Sequence, residues 1–115
     1  MIGYMPTSGG TEELAMACET NACAQKAFRA WLFERCGKDS AAVERRFGKP
    51  LNALAIPAAA ARTRADCGSF LDPLKSPLTI ELRRFHSARQ VDSALAFCRA
   101  VKEASDGRLI AGFFY

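Results

Sequence analysis

Cysteine and histidine are the residue types in this chain with the widest choice of chemistry, because both bind metals and both act in nucleophilic catalysis. The sequence has five cysteines and one histidine: Cys18, Cys23, Cys36, Cys67, Cys98 and His86. The number of cysteines is odd, their spacing is irregular, and no Cys-x-x-Cys pair occurs. The sequence identifies no acid or nucleophile that would act with His86. We therefore expect reduced, mostly buried thiols, no bound metal, and a cytoplasmic protein.

Basic side chains are in excess, with a formal net charge of +4 over 115 residues. A cluster of cations would indicate nucleic-acid binding, because it would neutralise backbone phosphates. The arginines are instead spread along the chain, mostly at outward-facing helical positions, and no nucleic-acid motif accompanies them. No apolar run approaches the length needed to cross a bilayer, and no signal-peptide pattern is present. We expect neither a nucleic acid nor a membrane as a partner.

The elements that would position such side chains are clearest in residues 78–115. Apolar residues recur there at three- and four-residue steps, which predicts a long helix with a continuous apolar stripe. Gly107 suits the left-handed position just past the last helical turn. Residues 109–115 show no polar alternation, which predicts a strand buried on both faces, as in a parallel sheet covered by helices. The stripe of the helix comprises Leu82, Phe85, Ala88, Val91, Leu95, Cys98 and Val101.

An earlier helix is predicted to begin after a cap at Thr20 or Asn21 and to end at Gly37. Its apolar positions repeat with the helical period, so we expect them to face a core. They are Ala24, Ala27, Phe28, Trp31, Leu32 and Cys36.

Two further helices are predicted before the long one. A short helix begins after a cap at Asp39 or Ser40 and is ended by Gly48. Pro57 suits the first turn of another helix, because the missing proline N–H is not needed there. The alanine-rich residues 58–61 have the helix propensity to continue it.

The first apolar run, residues 2–5, is either a disordered leader or the end of a strand. If it is a strand parallel to residues 109–115, the chain is one strand–multi-helix–strand crossover. Such a unit leaves two sheet edges unpaired, which is typical of a slice of a larger protein. We therefore expect a mostly helical α/β chain that belongs to a larger fold.

Residues 27–32 read Ala-Phe-Arg-Ala-Trp-Leu, and residues 35–37 read Arg-Cys-Gly. This pattern resembles a helix of family 42 β-galactosidases and related clan A glycoside hydrolases, Ala-Phe-Arg-x-Trp-Leu followed by Arg-Tyr-Gly, with Cys36 in the tyrosine position. Phe47 and Gly48 lie where these enzymes have Trp-Gly. Residues 84–87, 101–104 and 112–115 look like the long helix and the following strand of uncharacterised relatives in that group.

The resemblance implies that residues 1–115 are a single fragment of a catalytic (β/α)8 barrel domain, that is, a partial TIM barrel. Residues 2–5 would be its fourth strand and residues 109–115 its fifth. Barrel active sites lie in the loops at the carboxyl ends of the strands, so the loop after residues 2–5 is the expected catalytic region. The implied activity is hydrolysis of O-glycosidic bonds in carbohydrates, with no cofactor.

Retaining glycosidases of this kind use two carboxyl groups about 5 Å apart, one as acid/base and one as nucleophile. The resemblance implies Glu13 as the acid/base, with Glu12 as the second candidate, and Tyr115 as a substrate contact. Gly10 and Thr11 stand where the clan has an asparagine before the acid/base. A carboxylate that faces a helix dipole is therefore the alternative reading of Glu13. The nucleophile follows the seventh strand, which has no counterpart in this sequence, so we expect no activity from this chain alone.

A second interpretation comes from a different class of protein. The chain would be a small basic helical module that binds a partner protein through the apolar face of its long helix. Such a module would tolerate removal of residues 109–115. A barrel fragment would instead expose strand edges and self-associate.

Overall fold

The computed structural model describes residues 20–58 and 71–112, together with the backbone of Gly3–Tyr4. The elements in these ranges are mainly helical. In chain order they are strand β1 (Gly3–Tyr4), helices α1 (Ala22–Arg35) and α2 (Ser40–Phe47), a 3-10 helix (Leu51–Ala53), helix α3 (Pro77–Ala104) and strand β2 (Ile110–Ala111). None of the helices in the described ranges has the length and apolar character that a membrane-spanning segment requires.

The chain divides into two compact units, and their boundary falls inside α3. One unit is Cys18–His86, and the other combines Met1–Ala17 with Ser87–Tyr115. The first unit holds α1, α2, the 3-10 helix and the beginning of α3. The described part of the second unit holds the rest of α3 and both strands.

Helix α1 begins at a side-chain cap, as the sequence predicts. The side chain of Asn21, one of the two predicted caps, accepts a hydrogen bond from the Ala24 N–H at 2.9 Å. Such a cap satisfies one of the N–H groups that the first helical turn leaves without a partner. Phe28 and Leu32 are fully buried, so the predicted inward face is confirmed at its centre. Ala27, at the edge of that face, is exposed.

Helix α2 has equally local boundaries. Asp39 caps it by accepting a hydrogen bond from the Ala41 N–H at 2.8 Å. Gly48 ends it in the left-handed conformation, with φ of 70°. Val43, halfway along, is fully buried. Both ends lie where the cap and glycine signals predict them.

The core described in the first unit is formed by α1, α2, α3 and the connection after α2. Phe28 of α1 lies against Phe85 of α3, with 5.6 Å between ring centroids. Full burial of each large apolar side chain contributes roughly 1.5–3 kcal/mol. The buried cluster comprises Phe28, Leu32, Val43, Leu54, Ile56, Leu82 and Phe85.

Side chains of α1 hold the irregular connection after α2. Arg29 donates from Nε to the Leu54 carbonyl at 2.7 Å, and the Gln25 side-chain oxygen accepts from the Ile56 N–H at 2.9 Å. These bonds satisfy backbone groups that no helix or strand pairs, so Leu54 and Ile56 can enter the core. Pro57 and Ala58 are not helical. The predicted third helix is therefore wrong at its start, and the rest of it lies outside the described residues.

The expected α/β fold, a partial TIM barrel, is wrong, since the described residues are mainly helical and contain one pair of very short strands and no barrel. Strands β1 and β2 are parallel neighbours, with Gly3 opposite Ile110 and Tyr4 opposite Ala111, but each is two residues long. Ile110 is 53% exposed. A parallel strand buried on both faces needs a strand on each side and helices above and below. The described ranges contain no further strand that would supply this cover.

The apolar stripe of α3 is only partly buried, although its sequence pattern is continuous. Leu82 and Phe85 belong to the core, whereas Val91 is 54% and Leu95 is 45% exposed. The helix ends as predicted, with Gly107 left-handed at φ of 76°, and Asp106 also has a positive φ of 48°. Helical periodicity therefore predicts where an apolar face lies but not how much of that face finds a covering element.

Replacement of Gly48 by alanine should cost roughly 1 kcal/mol of unfolding free energy. An added Cβ would meet no atom within 4 Å, so the loss would come from the left-handed backbone alone. Urea unfolding followed by far-UV circular dichroism measures this loss of unfolding free energy. Gly48→Asn is the control, because asparagine tolerates this conformation better than alanine does. An equal loss for both variants would contradict this explanation.

Asp39 should contribute to the pH dependence of stability. The backbone N–H of Ala41, then that of Ala42, and the charge of Arg45 hold the pKa of its carboxyl below the ordinary value of 3.8. A folded-state pKa below the unfolded value means that the stabilisation is present above about pH 4 and is lost as the pH falls through the folded pKa. Unfolding midpoints of the wild type and Asp39→Asn, measured from acid to neutral pH, should converge at the acid end. A constant difference at all pH values would refute the prediction.

Candidate functional site around Glu81

Glu81 is the one charged side chain in the described ranges that is buried, and its exposure is 0%. Its position on α3 explains this burial. Leu78 precedes it by three residues and Phe85 follows it by four, so all three lie on the same face of the helix. Because Leu78 and Phe85 pack in the core, the carboxylate is carried inward with them.

Both oxygens of the Glu81 carboxylate have partners from other parts of the fold. Oε1 accepts hydrogen bonds from Arg46 Nη2 at 2.7 Å and from Arg84 Nη1 at 2.8 Å. Oε2 accepts one from the Trp31 indole N–H at 3.3 Å and lies 3.6 Å from Arg35 Nε. The donors belong to α1, α2 and α3, so a single carboxylate links three helices.

The charges of this cluster do not cancel. One carboxylate faces three guanidinium groups, those of Arg35, Arg46 and Arg84. Burial of a carboxylate is unfavourable unless charged partners and hydrogen bonds offset the lost hydration. The arginines are partly exposed, and Arg35 also lies over the Trp31 ring at 5.8 Å from its centroid. The cluster therefore carries two formal positive charges in excess, close to solvent.

A hollow of about 370 Å³ lies beside this cluster. Arg46 and Arg84 form its charged wall, while Pro73, Leu74, Pro77 and Ile80 form its apolar wall. A cavity that combines fixed cations with apolar surface is suited to a ligand that carries a negative charge on an apolar body.

The structure does not describe the residues assigned by resemblance. Glu12, Glu13 and Tyr115 lie outside the described residues, as do Cys18 and Cys67. The placement of the predicted catalytic carboxyl groups and of the substrate contact is therefore not described.

The structure describes three of the five cysteines and the histidine. Cys23 is exposed, and Cys36 and Cys98 are half-buried; all three are free thiols. His86 packs edge-on against Phe85, with 5.6 Å between ring centroids. In the ranges 20–58 and 71–112, no group of three or more His, Cys, Asp or Glu side chains is arranged to hold a metal ion. The prediction of mostly buried thiols is thus wrong for Cys23.

The aromatic residues of α1 serve the core, as their spacing predicts. Phe28 is fully buried, and Trp31 packs partly buried against the core at 6.0 Å from the Phe85 ring. The Trp31 indole N–H reaches Glu81, so its polar group is satisfied inside the protein.

Sequence reasoning did not find Glu81, and it placed most of the arginines, Arg84 among them, at outward-facing helical positions. A signal was present, because Glu81 interrupts an otherwise apolar row of residues at helical spacing. A charged residue in such a row must either end the buried face or find partners there. The sequence does not identify those partners, since Trp31, Arg35 and Arg46 precede it by 35 to 50 residues.

Comparison with known proteins adds no relative: no family model, no curated protein and no solved structure matches this chain.

Removal of both Arg46 and Arg84 should destabilise the protein strongly. In Arg46→Met/Arg84→Met, Glu81 stays buried without its two shortest hydrogen bonds, so the expected loss is about 3–5 kcal/mol. Addition of Glu81→Met should recover more than half of that loss, because the buried charge is removed with its partners. Chemical denaturation of the three proteins measures both steps.

Arg45→Met is the matched control for this series. Arg45 neighbours Arg46 on α2, but its side chain is 71% exposed and, among the described residues, pairs with the exposed Asp39. We expect a change within about 0.5 kcal/mol. If Glu81→Met failed to rescue the double variant, the unpaired carboxylate would not be the cause of the loss.

Proposed function

We propose that this chain is a segment of a glycoside hydrolase related to family 42 β-galactosidases, an enzyme that hydrolyses O-glycosidic bonds in carbohydrates. The observation that supports this most is the contact between two of the motifs. Residues 27–32 and 84–87 carry the resemblance separately and are far apart in the sequence. In the fold they meet, since the Phe85 ring lies 5.6 Å from that of Phe28 and 6.0 Å from that of Trp31.

This contact favours a common origin over chance similarity of short motifs. Two segments that pack on each other form one structural element, so their residues constrain one another. The motif residues Phe28 and Leu32 are fully buried, and Phe85 is buried beside them. On this reading the described unit is a structural part of the enzyme.

The proposed catalytic and sugar-contacting residues are those that the resemblance implies. Glu13, or else Glu12, acts as the acid/base that protonates the leaving oxygen, and Tyr115 contacts the sugar. Glycoside hydrolysis of this type needs two carboxyl groups and no cofactor. The sequence offers no counterpart of the second carboxylate. A carbohydrate is therefore bound and cleaved only when the remaining part of the enzyme is present.

We also propose a cytoplasmic location. The described cysteines Cys23, Cys36 and Cys98 are free thiols, which supports a reducing environment.

A second candidate function is a helical module that binds a partner protein. The observation that favours it is the exposure of Val91 and Leu95 on the second half of α3, at positions that share one apolar stripe. Many helices bind a partner protein through exposed apolar residues at helical spacing. This function would belong to the 115-residue chain itself and would need no glycosidase chemistry.

The two functions predict different behaviour of the isolated chain. We expect the purified 115-residue protein to give no turnover of a nitrophenyl β-galactoside above the uncatalysed rate, because it supplies at most one of the two carboxyl groups. An antibody against residues 83–102 should detect, in the source organism, a protein several times heavier than 12.5 kDa. In that protein, Glu13→Gln should lower kcat by about 10²–10⁴-fold.

Glu34→Gln is the control for this substitution, since Glu34 is exposed on α1 and its partner in the described part of the chain is the exposed Lys38. Unchanged activity of the Glu13→Gln and Glu12→Gln variants would remove the catalytic assignment. A native mass near 12.5 kDa, together with a protein partner lost in Leu95→Asp, would favour the interaction module instead.

A further inference from the structure

The hollow beside Glu81 has no role in the proposed glycoside hydrolysis, and its chemistry points to a separate ligand. We propose that Arg46 and Arg84 form a binding site for a small organic oxyanion, a carboxylate or phosphate group carried on an apolar body. The site lies entirely in the unit Cys18–His86 and does not depend on the proposed enzyme activity.

The two arginines have donors left for a ligand. Each uses one terminal nitrogen on Glu81 Oε1, whereas a guanidinium group carries five N–H donors. Their side chains are 41% and 54% exposed, and both line the hollow. The unused N–H groups are therefore accessible to a molecule that enters it.

Glu81 fixes these donors before any ligand arrives. Both guanidinium groups are bound to the same carboxylate oxygen, at 2.7 and 2.8 Å, and that oxygen belongs to a fully buried side chain. Two arginines held on one anchor lose less conformational freedom on binding than free surface arginines would. Their planar N–H arrays match the paired oxygens of a carboxylate or a phosphate.

The charge of the cluster has the required sign. Glu81 neutralises one of the three guanidinium charges around it, which leaves two positive charges. Asp72, which directly precedes Pro73 of the lining, is already engaged by the Leu74 N–H at 2.9 Å and lies 3.9 Å from Lys75 Nζ. An incoming anion would therefore meet a positive field at the Arg46 and Arg84 wall.

The apolar wall of the hollow selects for an apolar body. It consists of Pro73, Leu74, Pro77 and Ile80. Leu74 is 90% exposed, so its side chain is available to cover a bound hydrocarbon or aromatic group. The volume of about 370 Å³ is within the range of small-molecule sites. An aromatic phosphate ester or an arylacetate has an anionic group that can bind the arginines and an aromatic ring that can pack on the apolar wall.

Titration calorimetry and amide chemical shifts test the proposal on the full 115-residue chain. The probes are phenyl phosphate, phenylacetate, inorganic phosphate and the neutral benzyl alcohol. We expect at least one of the two aromatic anions to bind and to shift the amides of Leu74 and Arg84. Benzyl alcohol should not bind. The comparison of phenyl phosphate with phenylacetate decides which oxyanion the site prefers, and binding of neither would overturn the proposal.

Variants of the charged wall should weaken binding. Arg84→Gln should raise the Kd of the aromatic anion by at least about tenfold, because it removes a charged hydrogen-bond donor. Arg45→Gln makes the same charge change one residue from Arg46, outside the hollow, and should leave the Kd unchanged. Equal losses in these two variants would mean nonspecific attraction to a basic protein and would overturn the proposal.

Variants of Leu74 keep the test valid if Arg84→Gln disturbs the fold. Leu74→Asp should abolish binding by repulsion, with an unchanged circular dichroism spectrum, because this side chain is almost fully exposed. Leu74→Ala should weaken the binding of phenyl phosphate but not that of inorganic phosphate, since only the ester has an apolar group for Leu74 to cover. Unchanged phenyl phosphate binding in Leu74→Asp would exclude this hollow as the site.

Discussion

Burial of the Glu81 carboxylate is the constraint around which the described helical unit is arranged. A charged group removed from water must recover its hydrogen bonds and its charge compensation from the protein. Glu81 obtains them from Trp31 and Arg35 on α1, Arg46 on α2 and Arg84 on α3. Each bond specifies the rotation and the axial position of the helix that supplies it. Apolar packing alone is less directional, because hydrophobic association depends on area more than on orientation.

The same arrangement accounts for the surface that the unit presents. Three guanidinium groups exceed what one carboxylate neutralises, and the excess charge lies where the arginines reach solvent. On the inner side, the aromatic rings of Phe28, Trp31 and Phe85 form the contact that joins α1 to α3. These three rings, which belong to the motifs that carry the resemblance, are thus part of the core. The hollow that we propose as an oxyanion site is a separate consequence of how the charge of Glu81 is compensated.

Local signals explain why much of the helical part could be predicted. Asn21, Asp39 and Gly48 act through hydrogen bonds or backbone conformations that involve only a few neighbouring residues. The strand prediction at residues 109–115 depended instead on segments that are distant in the sequence. An apolar run becomes a buried strand only when distant segments cover it. Ile110 is half exposed in a two-residue strand, so the described fold is not the α/β barrel fragment that the apolar run and the family resemblance suggested.

The sequence by itself therefore determined the starts and ends of α1 and α2, the end of α3 and the inward positions of Phe28, Leu32 and Phe85. These depend on periodicity and on contacts within a few residues. Only the tertiary structure decided that Val91 and Leu95 stay exposed and that Glu81 is buried among arginines from α2 and α3. The physical reason is that burial depends on which remote surfaces meet. A charged residue in an apolar row shows that partners are needed, but only the packing of three helices shows which ones they are.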